Sequence, residues 1–213
     1  MSERRTNDAY PTPVSLARLG WALAQRYVPD RTALRVCEPG CGDAQPFLAA
    51  ADADPRVIRL DGFDLRPVHL GDWPRGAGRA TIRPGVDWTG ELGGDGAPWD
   101  VIITNPPFSI AEAFARRSLP RLAPSGVLVL LVRLSFLASE GRRGFWADHP
   151  LSELAVIRPR PSFTGDGHSD PSEYAYAVWA PALGQAPTIT WVDWEKPRAV
   201  RRATGPEKVD MLI

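Results

Sequence analysis

The chain has 213 residues, enough for one α/β domain with a buried core and little else. Its 25 basic and 25 acidic residues give a formal net charge of zero, which is not the footprint of a strong nucleic-acid binder. No segment reaches the roughly 18 consecutive apolar residues of a transmembrane helix, so we expect no membrane association.

The cysteines and histidines argue against a metal site. Cys37 and Cys41 are the only cysteines, and the three histidines are scattered along the chain, so a four-ligand zinc site is not expected. We therefore predict no metal and two buried free thiols, which indicates a cytoplasmic protein.

The two ends of the chain differ from the rest. Residues 1–9 lack the apolar segment of a secretory signal and predict a disordered tail. We expect a single domain over residues 10–195, followed by a polar, basic tail over residues 196–213.

The first predicted unit is a strand, a glycine turn and a helix, over residues 34–37, 38–43 and 44–53. Such a unit opens the nucleotide-binding half of a doubly wound sheet. Gly40 and Gly42 allow a close approach of the backbone to a ligand and a positive φ. The start of the helix favours an anionic group. A purely structural turn remains the alternative, because the third glycine of a dinucleotide fingerprint is missing.

Residues 56–64 predict a second strand that ends in an acid. Asp64 lies 26 residues after Glu38, and an acid about twenty residues past such a turn commonly binds ribose hydroxyls. Asp61 is the competing carboxylate, which we expect to be a solvated strand residue. The choice between the two stays open.

The most informative stretch is Asn105-Pro106-Pro107-Phe108, which follows a buried strand predicted over residues 99–104. The prolines stiffen the loop, so the Asn105 side-chain oxygen and the Pro106 carbonyl can sit at a fixed separation. Two acceptors held in this way match the two N–H groups of a planar amine, and Phe108 could stack on the ring that carries the amine. The alternative is an ordinary proline-rich turn.

The last third of the chain predicts one more buried strand, over residues 126–132, and an arginine-containing helix over 134–146. Residues 154–160 and 173–180 predict an antiparallel hairpin at the edge of the sheet, and 188–194 a possible extra strand. Between the hairpin strands, residues 161–170 predict a mobile, exposed loop.

Arginine supplies all but two of the basic residues. Clusters such as Arg142-Arg143 and Arg158 with Arg160 could hold phosphates if they surround the cleft. A solvated surface is the alternative for each cluster.

Taken together, these motifs resemble the class I S-adenosylmethionine-dependent methyltransferases, and among them the amino-methyltransferases of the adenine-N6 type. The resemblance covers about residues 10–180, and the cofactor elements precede the catalytic loop, as in the gamma order of DNA adenine methyltransferases. It implies an α/β fold with a doubly wound, mostly parallel seven-stranded sheet and an antiparallel C-terminal hairpin.

The resemblance also implies roles for individual residues. S-adenosylmethionine is the implied cofactor, with a threonine at the N-terminus contacting its methionine carboxylate and an acid-plus-aromatic pair holding its adenine. The implied cofactor-binding residues are Thr12, Pro13, Glu38, Gly40, Gly42, Asp64, Asp87, Trp88 and Asn105. The implied catalytic residues are Asn105, Pro106, Pro107 and Phe108. Phe108 and Phe163 would pack on the flipped target base, although Phe163 could equally be a core residue at a strand end.

The expected activity is methyl transfer to the N6 amine of adenine in DNA, by direct transfer to a flipped base. Adenine in RNA, cytosine N4 or a glutamine amide of a protein are alternative acceptors, because they present similar planar amines. A non-catalytic cofactor-binding subunit is a third interpretation. Since the chain leaves little room for a target-recognition region, a recognition subunit or a homodimer could complete the site on the nucleic acid.

Overall fold

The computed structural model describes residues 11–68, 79–90, 98–163, 170–184 and 186–194. The two predicted tails, over residues 1–9 and 196–213, lie outside the described residues, as does most of the predicted loop over 161–170. Within the described parts of the chain, no helix is long and apolar enough to cross a membrane.

The core of the fold is one eight-stranded sheet with the strand order β3-β2-β1-β4-β5-β7-β6-β8. Strand β7 is antiparallel to both of its neighbours, and all other pairs are parallel. The strands are β1 Leu34–Pro39, β2 Val57–Asp64, β3 Ala80–Pro84, β4 Trp99–Thr104, β5 Leu122–Arg133, β6 Glu153–Arg158, β7 Tyr174–Trp179 and β8 Thr188–Asp193.

This sheet confirms the predicted doubly wound α/β architecture and the antiparallel C-terminal hairpin of β6 and β7. The hairpin does not lie at the edge of the sheet as predicted, because β8 lies outside β6. The predicted count of seven strands is wrong, because the extra strand β8 pairs in parallel with β6 and extends the sheet to eight. Strand β3 was not predicted, since its short run is half exposed and lacks the apolar pattern of a buried strand.

In the described parts of the chain, four α-helices flank the sheet: α1 Val14–Gln25, α2 Pro46–Asp52, α3 Ala111–Ser118 and α4 Arg143–Asp148. Helix α2 starts later than predicted because Gln45 takes a left-handed conformation with φ of 40° and Pro46 opens the helix. The helix predicted over residues 134–146 is interrupted. Two short 3-10 turns, Leu134–Phe136 and Glu140–Arg142, precede α4 there.

The two faces of the sheet bury separate apolar layers. Side chains alternate along a strand, so Val101 and Ile103 pack in the layer that holds α1 and α2, whereas Ile102 packs in the layer of α3 and α4. All six residues of β4 are buried. Because the strand order reverses between β1 and β4, a crevice opens there at the carboxyl ends of the strands, where open α/β sheets bind ligands.

A buried hydrogen bond connects the two ends of the domain. The hydroxyl group of Tyr176, in β7, donates to the backbone carbonyl of Leu16, in α1, at 2.6 Å. Both residues are fully buried, and burial raises the pKa of Tyr176 far above its ordinary range, so the hydroxyl keeps its proton. Helix α1 is thereby attached to a strand 160 residues away in sequence.

The backbone of β2 passes close to its neighbours at Gly62. A Cβ atom at this position would lie 2.5 Å from Cδ1 of Ile82 and 3.0 Å from Cδ1 of Leu48. Replacing Gly62 by alanine is therefore expected to lower the free energy of unfolding by about 1–3 kcal/mol through overpacking, as measured by urea denaturation. Gly144→Ala is the matched control: it meets no atom within 4 Å and lies in α4, so it should be neutral or slightly stabilising. Equal effects of the two changes would contradict the packing argument.

Candidate active site

A cavity of about 560 Å³ lies at the carboxyl ends of β1, β2 and β4. Most of the residues predicted for the cofactor and for catalysis line it: Thr12, Glu38, Gly40, Gly42, Asp64, Asp87, Trp88, Asn105 and Pro107. Pro13, Pro106, Phe108 and Phe163 are predicted site residues that are not among the residues lining this cavity.

The glycine turn has the predicted backbone. Gly40 and Gly42 take φ values of 67° and 59°, which side-chain-bearing residues adopt only with strain. A Cβ at Gly40 would also point at Phe114, 3.5 Å from its ring. Both glycines line the cavity, so the turn brings backbone to the cavity surface without a side chain in the way.

Glu38 holds this turn against helix α2. Its carboxylate is almost fully buried and accepts a hydrogen bond from the backbone N–H of Leu48 at 3.0 Å. Burial raises the pKa of Glu38 well above its ordinary value, against the opposing hydrogen bonds from Leu48 and Phe47. The first turn of α2 is thus engaged by Glu38. The acidic group at this helix start is thus a side chain of the protein itself.

Of the two candidate ribose acids, Asp64 and Asp61, Asp64 is the one that lines the cavity. It accepts hydrogen bonds from the backbone N–H groups of Gly42 and Arg66, both at 2.9 Å, and from the Arg66 side chain at 3.1 Å. Burial would raise the pKa of Asp64, but these hydrogen bonds outweigh it and lower the pKa below the ordinary value of 3.8. Asp64 is therefore an ionised acceptor at neutral pH, held in place by its neighbours.

Asp61 is a buried residue of the sheet, so the expectation of a solvated side chain is wrong. It is 3% exposed, forms an ion pair with Arg59 at 2.9 Å and accepts a hydrogen bond from the Trp99 indole at 3.1 Å. It does not line the cavity. Its burial depends on Trp99, a residue 38 positions away that local sequence does not reveal.

Asp87 and Trp88 lie beside the cavity in different ways. Asp87 is exposed, and hydrogen bonds from Thr89 lower its pKa. Trp88 is 2% exposed. Its ring lies 5.2 Å from that of Phe63, and its indole N–H donates to Ser118 at 3.1 Å. Trp88 is thus mainly a core residue, and it leaves little ring surface for an adenine.

Apolar surface for a planar ring comes instead from two residues that sequence reasoning missed. Leu65 and Ile110 line the cavity and are 60% and 43% exposed, which is unusual for large apolar side chains at a concave site. Their positions in the sequence could have indicated that they line the cavity, because Leu65 directly follows Asp64 and Ile110 follows the proline-containing loop. A bound ring would cover both side chains and bury their apolar area.

The Asn105–Phe108 loop is joined by a hydrogen bond to the N-terminal element that contains Thr12. The side-chain amide of Asn105 donates from Nδ2 to the Thr12 hydroxyl at 3.1 Å. The preceding Thr104 donates to the backbone carbonyl of Pro39, which joins the ends of β4 and β1. Thr12, 93 positions earlier in the sequence, thus orients the Asn105 side chain. The hydrogen bond uses the Nδ2 atom of Asn105, and the amide oxygen is the other polar atom on Cγ.

Phe108 and Phe163 both pack on Tyr174. The ring of Phe108 lies 5.5 Å from that of Tyr174, with the Arg133 guanidinium 4.6 Å from its centroid. Phe163 lies 4.9 Å from Tyr174 and is 8% exposed, inside the core layer of α1 and α2. The alternative interpretation of Phe163, a core residue at a strand end, agrees with this placement. The interpretation of Phe163 as an exposed ring that stacks on a base does not agree with it.

Comparison with solved structures assigns the fold. A candidate class I S-adenosylmethionine-dependent methyltransferase from Listeria monocytogenes is 15% identical, with a TM-score of 0.68 over 89% of this chain and 67% of that chain. A candidate RNA methyltransferase from Pyrococcus horikoshii gives a TM-score of 0.62 at 14% identity, over 80% and 86% of the two chains. A predicted O-methyltransferase from Agrobacterium tumefaciens gives 0.55 at 20% identity, over 83% and 85%.

The chain therefore has the Rossmann-like fold of class I S-adenosylmethionine-dependent methyltransferases. No family model and no curated protein sequence matches it. Among the described residues, no group of three or more histidine, cysteine, aspartate or glutamate side chains could hold a metal ion.

Proposed function

We propose that this protein is an S-adenosylmethionine-dependent methyltransferase that transfers a methyl group to the exocyclic N6 amine of adenine in DNA. The observation that carries the proposal is the shared cavity. The Asn105 side chain, which is hydrogen-bonded to Thr12, lines the same cavity as the glycine turn and the ionised Asp64. A group suited to binding an amine and groups suited to binding a nucleoside thus meet at one place.

The cavity fits the proposed cofactor in size and in chemistry. Its volume of about 560 Å³ lies within the range of small-molecule sites. Asp64 would accept hydrogen bonds from the ribose hydroxyls, while Leu65 and Ile110 would cover the adenine. Thr12 would contact the methionine carboxylate. When bound there, S-adenosylmethionine supplies an electrophilic methyl group on a sulfonium sulfur.

The chain's own part in the reaction is to hold and polarise the amine. The lone pair of an exocyclic amine is delocalised into its ring, so the nitrogen is a poor nucleophile. Accepting its two hydrogens at the Asn105 amide oxygen and the Pro106 carbonyl favours a pyramidal nitrogen with a localised lone pair. This contribution is alignment and electrostatic complementarity to the transition state. No strong base is required, because the amine can lose its proton after the transfer.

The resemblance of the Asn105–Phe108 loop and the order of the motifs support adenine as the acceptor. In a duplex the base must leave the stack, which costs a few kcal/mol. Phe108, which belongs to the Asn105–Phe108 loop, would offset part of this cost by stacking. A recognition subunit or a second copy of the chain is proposed to supply the remaining contacts with DNA.

The proposal is tested by incubating the protein with methyl-labelled S-adenosylmethionine and, separately, with unmethylated duplex DNA, single-stranded DNA and total RNA. After digestion to nucleosides, we expect the label in N6-methyldeoxyadenosine. The ratio of duplex to single-stranded labelling then measures the cost of base flipping.

The other outcomes decide between acceptors. Label in RNA nucleosides alone or in N4-methyldeoxycytidine would replace adenine in DNA by another planar amine. No transfer to any acceptor, together with measurable cofactor binding, would contradict the proposed activity. Each sample is run beside one that lacks the protein.

A further inference from the structure

A second cavity, of about 180 Å³, lies on the other side of the catalytic loop. It opens between the start of α3 and the carboxyl end of β5. Its lining is Phe108, Ser109, Ala111, Val132, Arg133, Ser135, Phe136 and Arg142. Ser109 also lines the main cavity, so the two cavities are neighbours at the catalytic loop.

Two arginines face this second cavity, each stacked on an aromatic ring. The guanidinium of Arg133 lies 4.6 Å from the centroid of Phe108, and that of Arg142 lies 4.6 Å from the centroid of Phe136. Arg142 also donates to the backbone carbonyl of Phe136 at 3.1 Å. Stacking fixes the planes of both guanidiniums, which is the preorganisation that suits bidentate binding of an oxyanion.

Two guanidinium groups contribute positive charge to the lining of the second cavity. Its described lining contains two arginines and no carboxylate. Glu112 is the acid that pairs with Arg142, at 3.4 Å, but its carboxylate is shared with Arg116 at 2.9 Å. The guanidinium groups of Arg142 and Arg116 therefore share the single carboxylate of Glu112.

Arg133 also donates a hydrogen bond to the hydroxyl of Tyr174 at 3.3 Å. Burial raises the pKa of Tyr174 to about 12 even with Arg133 beside it, so the phenol stays uncharged at neutral pH. The charge of Asp170 and its side-chain hydrogen bond to Tyr174 raise this pKa further, and Asp170 is not among the residues that line the cavity.

We propose that the second cavity binds a backbone phosphodiester of the nucleic-acid substrate, next to the nucleotide whose base enters the catalytic loop. This inference rests on the proposed function and names the contact that positions its substrate. The cavity is much larger than the roughly 30 Å³ that one water molecule takes up in the liquid, so a tetrahedral oxyanion fits. Ser109 and Ser135, both exposed, add hydroxyl donors.

A phosphodiester fits this arrangement better than a carboxylate does. Its anionic oxygens can be shared between two guanidiniums and a hydroxyl group, and it is linked to the base through only one sugar. Phe108 lies in the wall of the cavity and belongs to the catalytic loop. Because Ser109 lines both cavities, we assign the anion bound there to the same nucleotide as the methyl acceptor or to its neighbour.

The sequence pair Arg142-Arg143 provides a matched control within one segment. The side chain of Arg142 is 20% exposed and lines the cavity, whereas that of Arg143 is 80% exposed and pairs with Glu140 at 2.8 Å. The two positions carry the same charge and are adjacent in sequence. Only Arg142 is expected to contact the phosphodiester.

The test measures binding of fluorescent single-stranded oligonucleotides with one adenine, by anisotropy, in the absence of methyl transfer. In a series of these, one phosphodiester at a time is replaced by a neutral methylphosphonate. For the wild-type protein, we expect one replacement beside the adenine to weaken binding about tenfold, as for loss of a charge-assisted hydrogen bond. Replacement at distant positions should have a much smaller effect.

The variants complete a double-mutant cycle. Arg142→Gln should weaken binding of the unmodified oligonucleotide, and the methylphosphonate beside the adenine should then weaken binding no further. In Arg143→Gln, the methylphosphonate should still weaken binding as it does in the wild type. A thermal unfolding curve for each variant reports whether it is folded. The methylphosphonate series with the wild-type protein tests the proposal even if a variant does not fold. No sensitive phosphodiester, or equal sensitivity in wild type and Arg142→Gln, would overturn the proposal.

This binding test separates the two proposals. Labelled N6-methyldeoxyadenosine together with a flat methylphosphonate scan leaves the activity in place and rejects the phosphodiester site. A sensitive phosphodiester without methylation of any nucleic acid supports the site and rejects the proposed activity. Binding that responds to a free peptide carboxylate and not to oligonucleotides would reject both.

Discussion

Replacing Asn105 by alanine is expected to reduce methyl transfer about a thousandfold or more and to leave cofactor binding nearly unchanged. The change removes the amide oxygen proposed to accept a hydrogen of the amine, and loss of one such preorganised group typically costs a factor of about 10²–10³. It also removes the bond to Thr12 that orients the loop, which adds a loss of alignment. The measurements are single-turnover rates of methyl transfer and calorimetric titration with S-adenosylmethionine.

Asn105→Gln is the matched control for position, because it keeps the amide and moves it by one methylene. We expect it to be strongly impaired as well, since a displacement of about 1 Å can cost about a hundredfold. A turnover rate near that of the wild type in the alanine variant would refute the assignment of Asn105 as a catalytic residue. Loss of cofactor binding in both variants would indicate a structural role instead.

Replacing Asp64 by asparagine is expected to weaken cofactor binding by about one to two orders of magnitude. A charged acceptor makes hydrogen bonds stronger by roughly 1–2 kcal/mol than a neutral one, and an asparagine would present a single acceptor to the ribose hydroxyls. The substitution also removes the partner of the Arg66 guanidinium, whose side chain is 47% exposed and can turn to solvent. Calorimetric or fluorescence titration with S-adenosylhomocysteine measures the affinity without turnover.

Asp61→Asn makes the same chemical change three residues earlier on the same strand. Because Asp61 does not line the cavity, cofactor affinity should be unaffected. The free energy of unfolding should fall by about 1–3 kcal/mol as the Arg59 ion pair and the Trp99 hydrogen bond are disturbed. Weaker cofactor binding in Asp61→Asn but not in Asp64→Asn would reverse the assignment of the ribose acid.

Long apolar runs were the most predictable part of the fold. Strand β4 has the bounds predicted for it, residues 99–104, because every residue of that run is buried and the prolines after it end the strand. The positive φ of Gly40 and Gly42 was likewise predictable, since glycine adopts it without strain. In both cases, the cause lies within a few residues of the effect.

The differences between expected and observed side-chain exposure at the site have the opposite origin. Trp88, Asp61 and Phe163 each have a partner that is distant in the sequence or on another strand. Trp88 packs on Phe63, and Phe163 packs on Tyr174. The exposure of an aromatic or charged side chain depends on such partners, which the spacing of motifs does not encode. Sequence therefore identified which loops form the cavity more reliably than which side chains face it.

The hydrogen bond between Tyr176 and Leu16 has a consequence for synthesis of the chain on the ribosome. Helix α1 is made before the strands of the sheet, yet the strand that holds it emerges some 160 residues later, and β7 must enter between β5 and β6 to complete the sheet. Until then, the apolar face of α1 with Leu16 and Trp21 lacks a finished surface to cover it. The nascent chain thus exposes this face during most of its elongation, when chaperones that bind apolar segments can reach it.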